Sequence, residues 1–164
     1  MILNLISFLL MFAAVAQSHH PVKETAHADT RTAASATATC PWLTRGTAAA
    51  LLGGRVLVFV SLQNDAQGSC IFHERQEPDQ LLQIRVGQEP SSLCRYGGAH
   101  LKGVANWALE CSMRRSHHRR IEFIVGQARS TYFNIKLRFR AGQGWQAREA
   151  EFKDIAQQVA GSLY

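Results

Sequence analysis

The sequence lacks several motifs that would indicate a catalytic or redox site. It has no C-x-x-C pair, which zinc sites and dithiol redox centres normally use. It also has no G-x-S-x-G nucleophile motif, no Walker phosphate loop and no dinucleotide-binding fingerprint. We therefore predict that the protein uses no cofactor and is not an enzyme.

Long apolar runs are scarce as well. One is present at residues 1–16, where no side chain is charged and the end reads Ala14-Val15-Ala16. This run is shorter than the about 20 residues that a membrane-spanning helix needs, and its small-x-small end is typical of a signal-peptide cleavage site. We predict a signal peptide over residues 1–16 and a secreted or periplasmic protein. Cys40 lies too far beyond the run to carry a lipid anchor.

Large apolar side chains are almost absent from residues 17–39, which contain mainly Ala, Thr, Ser and His with scattered charges. Such a segment cannot bury enough apolar surface to offset the entropy lost on ordering it. We predict a disordered linker over residues 17–39, followed by a single domain over residues 40–164.

Cysteines are few but even in number: Cys40, Cys70, Cys94 and Cys111. In a short exported chain this pattern indicates a disulfide framework. Four cysteines allow three connectivities, and the sequence does not choose among them. We favour the sequential pairing, Cys40–Cys70 and Cys94–Cys111, in which each bridge ties the start or end of a helix to nearby structure.

Apolar periodicity predicts three helices and five strands in the domain. The helices are expected at residues 45–52, at 101–111 and from about 147 to the end of the chain. The strands are expected at residues 55–62, 69–75, 82–86, 121–127 and 132–140. Short links between strands favour antiparallel pairing. The predicted fold class is α+β in the order αβββαββα, with a mainly antiparallel five-stranded sheet, three helices and two disulfides.

Two of the helices have specific sequence signals. Thr44 is a suitable N-cap for the first helix, and Gly53 with Gly54 should end it. The second helix is predicted from apolar residues that share one helical stripe, although Gly103 weakens it. That stripe consists of Leu101, Val104, Ala105, Ala108 and Leu109.

Four stretches of the domain together resemble a known group of proteins. They are CPWLTRGTAAALLGG, GSCIF, LKGVANWALEC and KDIAQQVAGSL. In this order they resemble small exported bacterial proteins of unknown function, and they are more distantly similar to a domain of actinobacterial lipoproteins and of the extracellular sensor region of a mycobacterial serine/threonine kinase. The resemblance covers residues 40–164 and implies a compact α+β domain with two disulfides and no established catalytic residues.

Basic residues outnumber acidic ones, giving a formal net charge of +6. The densest basic run carries Arg114, Arg115, Arg119 and Arg120, and such a surface attracts anions. We predict that these arginines bind an anionic envelope polymer or a membrane surface; the alternative is a solvated loop that aids solubility. No aromatic stacking motif flanks the run, so nucleic acid is not an expected partner. We expect a monomer.

The new N-terminus is a candidate metal site. Cleavage after Ala16 would expose Gln17, Ser18 and His19. A free amine, two backbone amides and an imidazole at the third position can surround Cu(II) or Ni(II) in a square plane. His19 is therefore a candidate metal ligand if cleavage occurs there.

The sequence thus predicts an exported, non-enzymatic binding or interaction module of unknown ligand. One alternative is a secreted hydrolase, which a deep pocket holding His73 or His100 beside a carboxylate would favour. Another is an accessory subunit of an envelope assembly, which a large exposed apolar patch would favour.

Overall fold

One antiparallel sheet organises the protein. The computed structural model describes residues 32–35, 39–64, 66–94, 97–116, 119–140 and 144–164. The eight strands of the sheet lie in the order β1-β2-β3-β4-β8-β7-β6-β5. They are β1 (Thr32–Ser35), β2 (Val56–Asn64), β3 (Gln67–Glu74), β4 (Leu81–Gly87), the two-residue β5 (Ala99–His100), β6 (Trp107–Ser116), β7 (Arg119–Ala128) and β8 (Thr131–Arg140).

Two helices cover one face of this sheet. Helix α1 (Arg45–Leu52) contacts β2, β3 and β4, whereas α2 (Trp145–Gly161) contacts β7 and β8. The core lies between the helices and the sheet, and its central row consists of Val58, Phe72, Leu82 and Leu137 on four neighbouring strands. We call the opposite face, which carries Arg85 on β4 and Lys136 on β8, the uncovered face.

Neither of the two helices in the described part of the chain is long and apolar enough to span a bilayer.

Helix α1 begins and ends as its sequence predicts. The Thr44 hydroxyl accepts a hydrogen bond from the Thr47 amide at 3.1 Å, which satisfies one of the free amides of the first turn. Gly53 ends the helix in the left-handed region, with φ of 78°, and its amide donates to the carbonyl of Ala49.

The prediction of five strands and three helices is wrong. The described residues form an eight-stranded sheet and two helices, although the antiparallel α+β class and the two disulfides are confirmed. The error lies in the predicted helix at 101–111, where β5 is followed by a turn and by β6. Gly103 and Ala105 have φ of 77° and 57°, which a helix cannot accommodate. From Trp107 onwards the chain instead pairs with β7, from Gln127 back to Arg119.

Strand β1 lies within the segment predicted to be a linker. It pairs with β2 at the edge of the sheet, Thr32 opposite Ser61 and Ser35 opposite Val58. The predicted signal peptide and the rest of the predicted linker before it, residues 1–31, lie outside the described residues.

The favoured disulfide pairing is confirmed. Cys40 bonds to Cys70 with a Cα–Cα distance of 5.9 Å, and Cys94 bonds to Cys111 at 5.6 Å. The first bond ties the chain before α1 to β3, as expected. The second does not involve a helix end, because Cys111 lies on β6 and its partner lies in the connection between β4 and β5.

Candidate functional site

A cleft on the uncovered face brings cationic and apolar side chains together. It has a volume of about 230 Å³. Its lining, which we call the basic cleft, consists of Gln83, Arg85, Leu93, Met113, Ile121, Phe123, Asn134 and Lys136. None of these described lining residues is acidic, so the cleft combines a positive wall with an apolar one.

The two cations of the basic cleft come from neighbouring strands. Arg85 on β4 pairs with Asn134 on β8, and Lys136 pairs with Gln83, so the two cations are diagonal neighbours on one face. Diagonal Cβ atoms in a sheet lie about 7–8 Å apart, which long side chains can bridge. One anion can therefore contact both.

Arg85 is held by a neutral partner. With its amide oxygen turned toward the guanidinium, Gln83 accepts a hydrogen bond from Arg85 Nε at 3.0 Å. No carboxylate of the described residues forms a salt bridge with Arg85. Its positive charge is oriented but not neutralised, which is the condition an anion-binding arginine requires.

A second hollow continues from the basic cleft. It has a volume of about 960 Å³ and also contacts Arg85, Leu93 and Asn134. Its other walls are largely hydroxyl and amide side chains, such as Ser61, Ser69 and Gln67. Residues 88–93 line this hollow, and Leu93 also lines the basic cleft. The described segment 88–94 therefore runs across the uncovered face, between the sheet and the solvent.

Of the arginines predicted to bind anions, the two with described side chains, Arg119 and Arg120, do not share one face of the sheet. Arg119 and Arg120 are consecutive on β7, so their side chains point to opposite faces of the sheet. Arg120 donates to Glu122 and lies over the Trp145 ring, 5.1 Å from its centroid. Only the backbone of Arg114 and Arg115, at the end of β6, is described.

Asp79 neutralises the cations at the rim of the uncovered face. Its carboxylate lies 2.9 Å from Arg119 and 3.8 Å from Arg138, and its carbonyl accepts from Arg138 Nε at 2.7 Å. Arg119 and Arg138 therefore have an acidic partner, and Arg85 has no salt bridge to a carboxylate among the described residues. Sequence reasoning missed Arg85, because its relation to Lys136 depends on which strand lies beside β4.

The histidines named for a hydrolase do not lie in such a site. His73 packs edge-on against Phe59, and its Nδ1 lies 3.2 Å from the carbonyl of Pro78. His100 is exposed on β5. Neither lines a cavity described here. Within the described ranges no group of three or more His, Cys, Asp or Glu could hold a metal ion, and His19 lies outside them.

A separate acidic cleft lies between β6 and the start of α2. Its volume is about 400 Å³, and Glu110, Glu122, Glu149 and Trp145 contribute to its walls. Glu122 is only 1% exposed and accepts a hydrogen bond from the Ser112 hydroxyl at 2.6 Å. Each of the three carboxylates already has a donor, so this cleft is an internal network of ion pairs and hydrogen bonds.

Lys153 is the cation that balances this acidic cleft. Its Nζ lies 3.4 Å from Glu110 and also bonds to Glu149, one helical turn away. Burial raises the pKa of Glu110 above its usual value, and Lys153 only partly opposes that effect. The hydrogen bond to Glu149 raises the pKa of Lys153 in turn.

Replacing Lys153 with methionine should destabilise the fold near neutral pH and much less in acid. The variant leaves the Glu110 carboxylate buried without its cation, at a cost of about 1 kcal/mol, since a lysine that is 34% exposed is partly screened by solvent. A carboxyl whose folded pKa is raised stabilises the fold most below pH 4.5, and loses that effect as pH rises through the folded value. The deficit should therefore shrink on acidification.

Melting temperatures between pH 4 and pH 8 would measure this effect. Lys102→Met, at an exposed lysine outside the network, is the matched control and should show no such pH dependence. Adding Glu110→Gln to Lys153→Met should restore stability at pH 7. A deficit that is equal at both ends of the range would contradict this account of Glu110.

Comparison of the chain with protein-family models, with curated proteins and with solved structures finds no match. The resemblance drawn from the four sequence stretches therefore stays a prediction. The two disulfides indicate a non-cytoplasmic, oxidising environment, because such bonds form and persist there.

Proposed function

We propose that this protein is an exported, non-enzymatic binding module that holds an anionic amphiphile in the basic cleft. The ligand would carry a phosphate or carboxylate headgroup and an acyl chain. The observation that carries this proposal is the juxtaposition of Arg85 and Lys136 with Leu93, Met113 and Phe123 in one cleft on the uncovered face.

The headgroup would lie between the two cations. A guanidinium binds phosphate or carboxylate oxygens in a bidentate manner, and an ammonium adds a point charge. Arg85 suits this role because Gln83 fixes its orientation without cancelling its charge. Asn134, beside Arg85 on the next strand, adds an amide that can donate to the same headgroup.

The acyl chain would lie against the apolar wall. Met113 is 40% exposed, and its unbranched side chain adapts to irregular apolar ligands. A site that binds an acidic polysaccharide needs cations but no apolar wall. The mixed lining therefore favours a lipid over an acidic polysaccharide.

Export is part of this proposal. The residues 1–16 have the layout of a signal peptide, and the disulfides require an oxidising compartment. The protein would then meet anionic lipids of the cell envelope, from the periplasm or from outside the cell. The resemblance to small exported bacterial proteins agrees with this location.

Charge reversal in the cleft tests the proposal. The double variant Arg85→Glu/Lys136→Glu should bind vesicles of phosphatidylglycerol at least about tenfold more weakly than the unmodified chain, since each basic residue near an anionic surface contributes about 1 kcal/mol. Cosedimentation at low salt, with phosphatidylcholine vesicles as the uncharged comparison, measures the affinity.

A matched variant separates the cleft from net charge. Arg55→Glu/Arg75→Glu changes the formal charge equally, and both residues are exposed and line a different cavity, beside the end of α1. This control should lose no more than about twofold if the cleft is the site, because screening weakens distant charges. Equal losses in the two variants would reduce the interaction to non-specific attraction and overturn the proposal.

A further inference from the structure

The two disulfides differ in their access to solvent. Cys40 and Cys70 are 6% and 0% exposed, so the bond between them lies inside the core. Cys94 and Cys111 are both partly exposed, on the face that no helix covers. Thiol–disulfide exchange requires a thiolate to reach a sulfur atom, so only the second bond is open to a reductant in the folded protein.

The second bond is also the main attachment of segment 88–94. Among the described residues, no backbone hydrogen bond joins this segment to the strands below it. The side chain of Asn134 donates to the Ser91 hydroxyl at 3.2 Å, and Leu93 lies in the wall of the basic cleft. A segment with so few hydrogen bonds opens easily once its covalent link is lost.

Backbone conformation at Cys94 favours release. Its φ of 64° lies in the left-handed region, which is sterically unfavourable for a residue with a Cβ. The disulfide to Cys111 helps hold the residue in this conformation. Opening the bond would let Cys94 return to negative φ and move segment 88–94 away from the sheet.

We propose that Cys94–Cys111 is a thiol–disulfide exchange site whose opening uncovers the basic cleft, whereas Cys40–Cys70 is purely structural. The reaction partner is a dithiol reductant. One of its thiolates attacks a sulfur of the bond, forming a mixed disulfide and releasing the other cysteine thiolate, which takes up a proton. The second thiol of the reductant then displaces the remaining cysteine. The reductant leaves as a disulfide, and two electrons and two protons have moved to Cys94 and Cys111.

Opening this bond changes what the basic cleft offers to a ligand. Ile121 and Phe123 on β7 are only 4% and 6% exposed, although no helix covers them, and Leu93 of segment 88–94 lines the cleft with them. Phe123 pairs directly with Cys111, so the disulfide itself lies beside these apolar side chains. Release of the segment would expose Ile121 and Phe123 next to the two cations of the cleft. This consequence rests on the proposed function, and the exchange site itself does not.

The exchange site is tested on the purified, oxidised chain in dithiothreitol buffers of increasing reducing strength. Alkylation followed by peptide mass spectrometry reports which cysteines are free. Cys94 and Cys111 should become free at a reductant ratio at least about tenfold lower than Cys40 and Cys70 require. Amide hydrogen exchange in peptides covering segment 88–94 should rise at the same ratio. Release of all four thiols together, or of Cys40 and Cys70 first, would overturn the assignment.

The effect on binding is measured with the same phosphatidylglycerol vesicles. Selective opening should tighten binding about tenfold, and dithiothreitol should have no further effect on Cys94→Ser/Cys111→Ser. Unchanged or weaker binding after selective opening would overturn the coupling to the cleft. If Arg85→Glu/Lys136→Glu also left binding unchanged, the proposed function would fail, and the thiol and hydrogen-exchange results would still decide the exchange site. The unmodified chain suffices for both measurements if the serine variant does not fold.

Discussion

Replacing Gly126 with alanine should lower the free energy of unfolding by about 3 kcal/mol, at the upper end of the usual cost of overpacking. A Cβ at this position in β7 would lie 2.6 Å from Cζ of Phe133 and 2.7 Å from the carbonyl oxygen of Trp107. The Phe133 ring is buried on β8, and the carbonyl belongs to the β6 backbone, so neither can move without disturbing the sheet. Urea unfolding followed by circular dichroism gives the change.

Gly161→Ala is the matched control. Gly161 lies in the last turn of α2, and a Cβ there would meet no atom within 4 Å. Alanine is the better helix former by about 1 kcal/mol, so this variant should be as stable as the original or more so. Adding Phe133→Leu to Gly126→Ala should recover part of the loss, since the clash with the Trp107 carbonyl remains. An unchanged unfolding midpoint for Gly126→Ala would contradict the close packing of β6 and β8 around Gly126.

Removing the buried disulfide should have an effect of similar size. The double variant Cys40→Ala/Cys70→Ala frees a loop of sequence separation 30, which in the chain-entropy model costs roughly 3–4 kcal/mol. Loss of buried sulfur atoms from the core adds to this cost, because Cys70 is enclosed between Val60 and Ile84 in the sheet. The melting temperature should fall by roughly 10–15 °C.

The exposed disulfide provides the comparison. Cys94→Ala/Cys111→Ala opens a shorter loop, of sequence separation 17, and lets Cys94 leave the left-handed region. Its loss should therefore lower the melting temperature less than loss of the buried bond. Equal decreases in the melting temperature would mean that burial and the Cys94 backbone conformation do not affect how much each disulfide stabilises the fold.

Local signals in the sequence predict the elements that depend on local chemistry. The caps of α1 are an example, because Thr44 and Gly53 act on atoms within four residues of themselves. Strand β8 is another, because apolar residues alternate along it and the buried positions alternate in the same way. The sequential disulfides are also confirmed, although the expectation that each bridge ties a helix end is wrong for Cys94–Cys111.

Strand β6 was missed because the predicted helical stripe extends into its first residues, Ala108 and Leu109. Within β6 itself Trp107, Leu109, Cys111 and Met113 alternate as in a strand, and the partner β7 comes later in the chain. Pairing with β7 decides the outcome, since tertiary contacts override a weak local preference. Gly103 and this alternation are the local signals against the predicted helix.

The basic cleft depends on the same kind of distant pairing. Arg85 and Lys136 each lie on a strand whose alternation is visible in the sequence, yet nothing in either strand shows that β4 lies beside β8. The cluster of arginines near residue 117 was conspicuous because its members are adjacent in sequence. Consecutive residues on a strand point to opposite faces of the sheet, so Arg119 and Arg120 lie on different faces although they are neighbours in sequence.

The sheet order divides the molecule along a single seam. Strands β2 to β4 with α1 and one disulfide form one half, and strands β6 to β8 with α2 and the other disulfide form the second. Among the described residues, the β4–β8 ladder is the one strand pairing that joins the two halves. Arg85 and Lys136 lie on opposite sides of that ladder. Neither half alone contains both cations of the proposed anion site, so a chain that has folded each half but not yet docked them could not bind the proposed ligand there. A ligand bound in the cleft would thus stabilise the docked state of the two halves by mass action.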